Sequence, residues 1–179
     1  DVSDSLILEN EETSIYLSIL DSNGEMNVAI SSMEIFKKLK PEYLKARNKK
    51  IEGAEIIIVD TNLEKEAINY IMGYNTKTKI MLDTVSTKKS EKVKDIIGKF
   101  HTIKPNKIEA ELLSGIKINS DSDLDRAGKF FLEAGIKNIF ITLGSDGVYY
   151  INDKKKGIIK NPKVTPVNVT GGGDAFVAG

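Results

Sequence analysis

Toward the end of the sequence three glycines and an acid stand together, in Thr170-Gly171-Gly172-Gly173-Asp174-Ala175-Phe176. Successive glycines let backbone amides converge without Cβ obstruction, and a helix starting behind them adds unpaired N–H groups and its dipole. The segment therefore reads as an anion cradle. A carboxylate beside a bound phosphate is repelled by it, unless it takes a proton from the group that attacks the phosphate, which makes Asp174 a general-base candidate. The glycines alone fit a commoner reading equally well, a loop followed by an acid in the first turn of a helix. The lysine and Ser/Thr of a Walker A loop are missing, so a P-loop nucleotide hydrolase is not supported.

Lys104-Pro105-Asn106-Lys107-Ile108-Glu109 lies where an apolar strand gives way to a helical pattern, the junction at which open α/β sheets place ligands. Asn106 and Glu109, at i and i+3, share a helix face and could hold water around a magnesium ion. The same spacing describes an Asn cap with a first-turn Glu, and spacing alone favours the cap. Thr142-Leu143-Gly144-Ser145-Asp146-Gly147 is a second strand-to-turn segment. A tight turn with glycines at positive φ satisfies it, and so does a nucleotide contact through the Thr142 hydroxyl and the Gly144 backbone. Asp60, Thr61, Asn62, Asp83 and Thr84 follow two strand ends on the same rim, where they face a substrate or cap the next helices. His101 is expected at a strand start with no catalytic duty.

These groups need a scaffold that gathers strand ends, and hydrophobic spacing supplies one. Ile15, Leu17 and Ile19 alternate, and Met26, Val28 and Ile30 repeat the pattern after Asn23-Gly24, a pair that tolerates the positive φ of a hairpin turn. Ile56 to Val59 is a continuous apolar run that suits a strand covered on both faces, followed by Leu63, Ala67, Ile68, Ile71 and Met72 at helical spacing. Lys79 to Leu82 and His101 to Lys104 read as further strands, with Val93, Ile96, Ile97 and Phe100 helical between them. A helix from Asn106 to Leu113 closes at Gly115, and Ser120 with Asp123 caps another that carries Leu124, Ala127, Phe131 and Ala134. Ile139 to Leu143 and Val148 to Ile151 are strands around a glycine turn. Alternating strand and helix predicts an α/β fold with a parallel sheet and helices on its faces over residues 50–179. Residues 1–32 form a small antiparallel appendage, and residues 33–49 connect the two, with Pro41 opening a short helix.

The 179 residues carry 26 basic and 26 acidic side chains, so no global field draws the chain to nucleic acid or anionic lipid. Residues 1 to 25 hold seven acids and no base, which reads as a solvated acidic face. No apolar run approaches the roughly 20 residues of a membrane-spanning helix, and the acidic opening does not look like a signal peptide. The absence of cysteine removes disulfides, thiol nucleophiles and cysteine-held metals, and a single histidine removes multi-histidine metal sites. A cytoplasmic protein is expected. The sequence stops about one turn into the apolar helix begun by Ala175, too short to recover its nucleation cost, so the chain reads as the central or ordered part of a longer protein.

Taken in order, the three motifs resemble the ribokinase-like, or PfkB, family of carbohydrate kinases. The family's second signature is similar to Asn168-Val169-Thr170-Gly171-Gly172-Gly173-Asp174-Ala175-Phe176, its Asn-x-x-Glu motif to Asn106 to Glu109, and its nucleotide turn to Thr142 to Gly147. Within the family the likeness is closest to the pseudouridine kinases, on Thr13 to Leu17, Val59 to Leu63, Leu82 to Ser86, Lys104 to Asn106 and Asn168 to Thr170. That resemblance implies ATP-dependent phosphorylation of the ribose 5′-hydroxyl of a nucleoside, or of another sugar. It implies Asp174 as the base and the amides of Gly171, Gly172 and Gly173 around the transferring phosphoryl group. Thr142, Gly144, Gly147 and Asn106 would line the nucleotide site, Asn106 and Glu109 would hold magnesium-bound water, and Asn62, Thr13 and Tyr16 would meet the substrate.

Two residues depart from the family pattern. Asn168 replaces a usual Asp, which puts the family's monovalent-cation site in question, and Gly172 replaces a usual Ala, which leaves the amides in place. The resemblance further implies that residues 1–32 act as a β lid and can join a homodimer, since exposed strands need covering. The expected partner is a small nucleoside or sugar, with neither nucleic acid nor membrane. A non-catalytic nucleotide-binding relative is the rival class, and Asp174 speaks against it; a dinucleotide-binding fold ranks last, because no G-x-G-x-x-G follows an early strand. The 179-residue piece alone is expected to be inactive.

Overall fold

The computed structural model describes residues 2–21, 26–74, 77–162 and 170–179. Strands β1 (Ile15–Leu20) and β2 (Met26–Ser32) pair antiparallel, with Leu17 opposite Ile30 and Ile19 opposite Val28. The alternation thus puts Ile15, Leu17, Ile19, Val28 and Ile30 on one face, and that face is exposed. Asn23-Gly24, expected to turn the hairpin, lies outside the described residues. Pro41 opens α1 (Pro41–Lys45) as predicted, and α2 (Asn48–Gly53) follows.

The larger sheet has six strands in chain order: β3 (Ile56–Asp60), β4 (Lys79–Asp83), β5 (Thr102–Lys104), β6 (Asn138–Thr142), β7 (Val148–Asn152) and β8 (Lys156–Ile159). β3 to β6 are parallel, as the strand and helix alternation requires. Beyond β6 the parallel sheet becomes mixed, because β7 and β8 run antiparallel. Residues 143–147 alone separate β6 from β7. A parallel return needs a crossover of about a dozen residues or more, so a link this short forces a hairpin. β8 went unpredicted because Lys156 and Gly157 disguise it as the end of a lysine run.

Among the described residues five α-helices complete the body: α3 (Lys65–Tyr74), α4 (Thr87–Ser90), α5 (Lys107–Ser114), α6 (Asp121–Glu133) and α7 (Gly172–Ala178). The stretch Glu91–Lys99, expected as an α-helix, is a 3₁₀ helix that still buries Val93, Ile96 and Ile97. Ser120 caps α6 by accepting the Asp123 N–H, and Asp123 takes the Asn119 N–H at 3.1 Å. Gly115 ends α5 as predicted.

The core lies on one face of the sheet, where Val59, Leu82, Ile103, Ile139 and Ile141 meet Ile68 of α3, Leu113 of α5 and Phe131 of α6. Each such side chain contributes about 1.5–3 kcal/mol relative to exposure. The other face is different. Ile56 and Ile58 are 58% and 53% exposed, so the apolar run of β3 is not covered on both faces among the described residues. Only where β5 and β6 end does α7 pack on that second face, with Phe176 edge-on to Phe140 at 5.8 Å between ring centres.

Candidate active site

The parallel strands end on a common rim, and their register decides which side chains meet there. Asp60 pairs with Asp83 and Asp83 with Lys104, so these three side chains stand in a row on one face of β3, β4 and β5. Asp83 and Lys104 are 8% and 6% exposed, and the Lys104 ammonium lies 3.2 Å from Asp83 Oδ1. The same oxygen accepts the Val85 N–H at 3.1 Å. Val85 has φ 57°, and Ser86 N–H donates to the Thr84 carbonyl at 2.6 Å. A three-residue turn with a β-branched centre in left-handed geometry is strained, and it sits directly against the row.

Behind the row runs a buried polar chain. Thr61 donates its hydroxyl to the Thr84 carbonyl at 2.6 Å, and the Thr84 hydroxyl donates to Glu109 Oε2. Glu109, 3% exposed, also accepts the Asn106 N–H and the Asn106 side-chain amide, each at 2.9 Å. Asn106 Oδ1 returns the favour to the Glu109 N–H at 2.9 Å, which completes a capping box at the start of α5. Of the two meanings the Asn106 to Glu109 spacing left open, the helix cap is the one that accounts for these bonds.

The turn after β6 adjoins this corner. Thr142 bridges to Asn106, and its N–H donates to the Pro105 carbonyl at 3.0 Å. Gly147 has φ 103°, and a Cβ there would stand 2.0 Å from the Ile159 carbonyl oxygen of β8. Gly147 is therefore fixed by the backbone. Gly144, at φ 63°, faces open space and accepts Asn161 Nδ2 at 2.9 Å. Beside this turn is a cavity of roughly 590 Å³ lined by Lys107, Asn119, Ser120, Leu143, Ser145 and Lys160 among others, within the size range of small-molecule sites.

On the β3 side, Asn62 is already engaged. Its amide donates to Asp60 Oδ2 at 2.9 Å and its oxygen accepts from Lys89 at 2.5 Å. Thr13 is exposed ahead of β1, and Tyr16 is exposed on it, on the side opposite Leu17. The rim gathers Asn62, Asn106, Glu109 and Thr142; Tyr16 lies on the separate two-stranded sheet and Thr13 just ahead of it.

α7 brings the glycine segment to the same rim. Gly171 is its N-cap with φ 80°, and Ala175 N–H closes the first turn on the Gly171 carbonyl at 2.9 Å. A Cβ on Gly173 would lie 3.1 Å from the Lys104 ammonium nitrogen, so the loop rests on the end of β5. Asp174, the next residue, is exposed. Asn168 lies outside the described residues.

The profile of the pfkB family of carbohydrate kinases matches residues 1–179. The chain belongs to that family. Over 179 residues it is 38% identical to the pseudouridine kinase of Escherichia coli strain K12, covering 99% of this chain and 57% of that enzyme. A crystal structure of a candidate sugar kinase from Clostridium perfringens matches 98% of this chain and 56% of that one, with 41% identity and a TM-score of 0.84. The Thermotoga maritima ribokinase, at 22% identity and a TM-score of 0.76 over 92% of this chain and 54% of that one, shares the fold. The chain spans little more than half the length of these relatives.

For a pfkB-family chain the question is what the rim can hold. Among the described residues no group of three or more His, Asp or Glu could cage a metal ion, and no helix is long and apolar enough to cross a membrane. Glu109 Oε2 already receives two hydrogen bonds, which does not fit direct ligation, whereas Oε1 receives one and fits a contact to metal-bound water. Two cations escaped sequence reasoning. Neither Lys89 nor Lys104 carries a local mark of a site, and the pairing of distant strands brings them to Asn62 and Asp83.

Proposed function

We propose that the chain belongs to an ATP-dependent kinase that phosphorylates the 5′-hydroxyl of a ribose-containing nucleoside, with pseudouridine as its substrate. The observation that carries this reading is the seating of the glycine segment on the strand rim, Gly173 against Lys104 and Phe176 against Phe140, within a chain 38% identical to a pseudouridine kinase. Phosphoryl transfer asks a protein chiefly for alignment and electrostatics, and a rim of strand ends provides both.

In this reading Asp174 takes the proton of the 5′-hydroxyl as its oxygen bonds to the γ-phosphorus, and the bond to the ADP oxygen breaks with its electron pair leaving on ADP. The amides of Gly171, Gly172 and Gly173 face the charge that spreads over the phosphoryl oxygens. Thr142, Gly144 and the adjoining cavity take the nucleotide, with Gly147 holding the turn's shape. Bound with the nucleotide, magnesium would neutralise phosphate charge, and Glu109 and Asn106 would meet it through water. Asn62, pre-set by Asp60 and Lys89, faces the sugar, and β1 and β2 close over it with Thr13 and Tyr16. The exposed apolar face of β1 and β2 suits a homodimer, which a molar-mass measurement on the full-length protein tests directly.

The deciding experiment is a panel of nucleosides and sugars given to the full-length protein with ATP and magnesium and read by ADP release, pseudouridine first. Pseudouridine should give the highest kcat/KM. A preference for free ribose or a fructose phosphate would move the protein to another branch of the family. Nucleotide binding without transfer to any acceptor would make it a binding relative.

A further inference from the structure

The row Asp60, Asp83, Lys104 contains a buried ammonium paired with a buried carboxylate. A buried ion pair is a weak source of stability, since apolar residues of similar volume serve as well or better, so its retention asks for another reason. Lys104 is 6% exposed and its nitrogen has two neighbours of note: Asp83 Oδ1 at 3.2 Å, and the backbone of the glycine segment, where a Cβ on residue 173 would stand at 3.1 Å. Asp83 is itself held, because the same oxygen accepts the Val85 N–H. The ammonium is thus anchored from the side and presented to the loop one residue before Asp174.

We propose that Lys104 is the protein's own cation for the migrating phosphoryl group, held by Asp83 so that it donates to a phosphoryl oxygen at the glycine segment. This deepens the kinase reading and rests on it. Asp60 and Asp83 in the row and Asp174 above it would all repel a phosphate, and a fixed positive charge among them offsets that repulsion. An ammonium is a compact charge with three donors, so it can keep Asp83 and still serve an oxygen that moves during transfer. The same placement explains the residue at 173. A side chain there would press on the ammonium, so a glycine leaves the charge against the loop.

The test uses the full-length protein with ATP, magnesium and its best acceptor. Lys104→Met should lower kcat by about 100-fold or more while the acceptor KM stays within about threefold, the size of effect seen when one donor to a developing anion is removed. Titration with a non-hydrolysable ATP analogue and with AMP should show that the variant loses the triphosphate preference of the wild type and keeps AMP affinity. Because Lys104→Met leaves Asp83 unpaired, the double variant with Asp83→Asn is measured beside it, and so is Gly173→Ala, which keeps the ion pair but crowds the ammonium. Folded variants that retain wild-type kcat within threefold and the triphosphate preference would overturn the role of Lys104 and leave the kinase reading standing. A wild-type protein that transfers phosphate to no acceptor would overturn the kinase reading, and the two titrations would then decide Lys104 by themselves.

Discussion

Glu109 of α5 receives the hydroxyl hydrogen of Thr84, 25 residues earlier in the chain, in the interior of the protein. Through that bond the end of β4, with its strained turn at Val85, is joined to the capping box that starts α5. The two sides of the rim, one next to Asn62 and the other next to Thr142, are therefore joined by a single polar chain, buried from Thr61 to Glu109 and surfacing at Asn106. A change at one side has a physical route to the other.

Glu109→Ala should destabilise the chain by about 2–4 kcal/mol, because the buried Thr84 hydroxyl loses its acceptor and the capping box with Asn106 is broken. Thr84→Val removes one donor and leaves the carboxylate two, so it should cost only about 1–2 kcal/mol. Urea unfolding followed by circular dichroism gives both values. Equal losses in the two variants would mean that Glu109 is not the hub of the chain.

The two glycines of the turn after β6 should part company. Gly147→Ala sets a Cβ against the Ile159 carbonyl and should cost at least about 3 kcal/mol, since neither backbone can give way without breaking the β7 and β8 pairing. Gly144→Ala meets nothing and carries only the left-handed penalty of about 1–2 kcal/mol. Unfolding midpoints separate them. If Gly144 lines the nucleotide site as proposed, its variant should also show an ATP affinity loss out of proportion to its small stability change.

How much of this could be read from the residues depends on the range of the interaction. The strands other than β8, the caps at Ser120 and Asn106, and the end of α5 at Gly115 follow from neighbours within four positions, and the sequence patterns place them. The direction of β7 is legible too, because the segment from Leu143 to Gly147 is shorter than a crossover. The Asp83 and Lys104 pair is not. It depends on the register of β4 against β5, and a lysine at a strand end has no local mark of burial. Gly147 is a similar case: its positive φ was legible, but the contact that fixes it comes from β8, a strand hidden in a lysine run.

His101 should give stability a pH slope. Burial, and then the nearby charges of Lys79 and Lys137, push its pKa below the usual 6.5. The unfolded chain therefore takes up the proton first. Stability is full above about pH 6.5, falls as the pH drops from there toward the lower folded value, and levels off below it. Urea midpoints between pH 7.5 and 5.5 should decline modestly in the wild type and stay flatter in His101→Gln. An equal decline in both would assign the slope to other groups.

Val85 offers the last test, of strain beside the candidate site. A β-branched residue at φ 57° pays for left-handed geometry, and at 41% exposure its side chain buries little in return. Asparagine adopts this geometry far more readily, so Val85→Asn should raise stability by about 1 kcal/mol. The turn keeps its position through Asp83, which accepts the residue's N–H whatever the side chain. Strain that persists next to the row of charges is expected to serve substrate placement, so the same variant in the full-length protein should show a higher acceptor KM with little change in kcat. A lower unfolding midpoint in Val85→Asn would show that the valine side chain stabilises the turn, and that no strain is stored there.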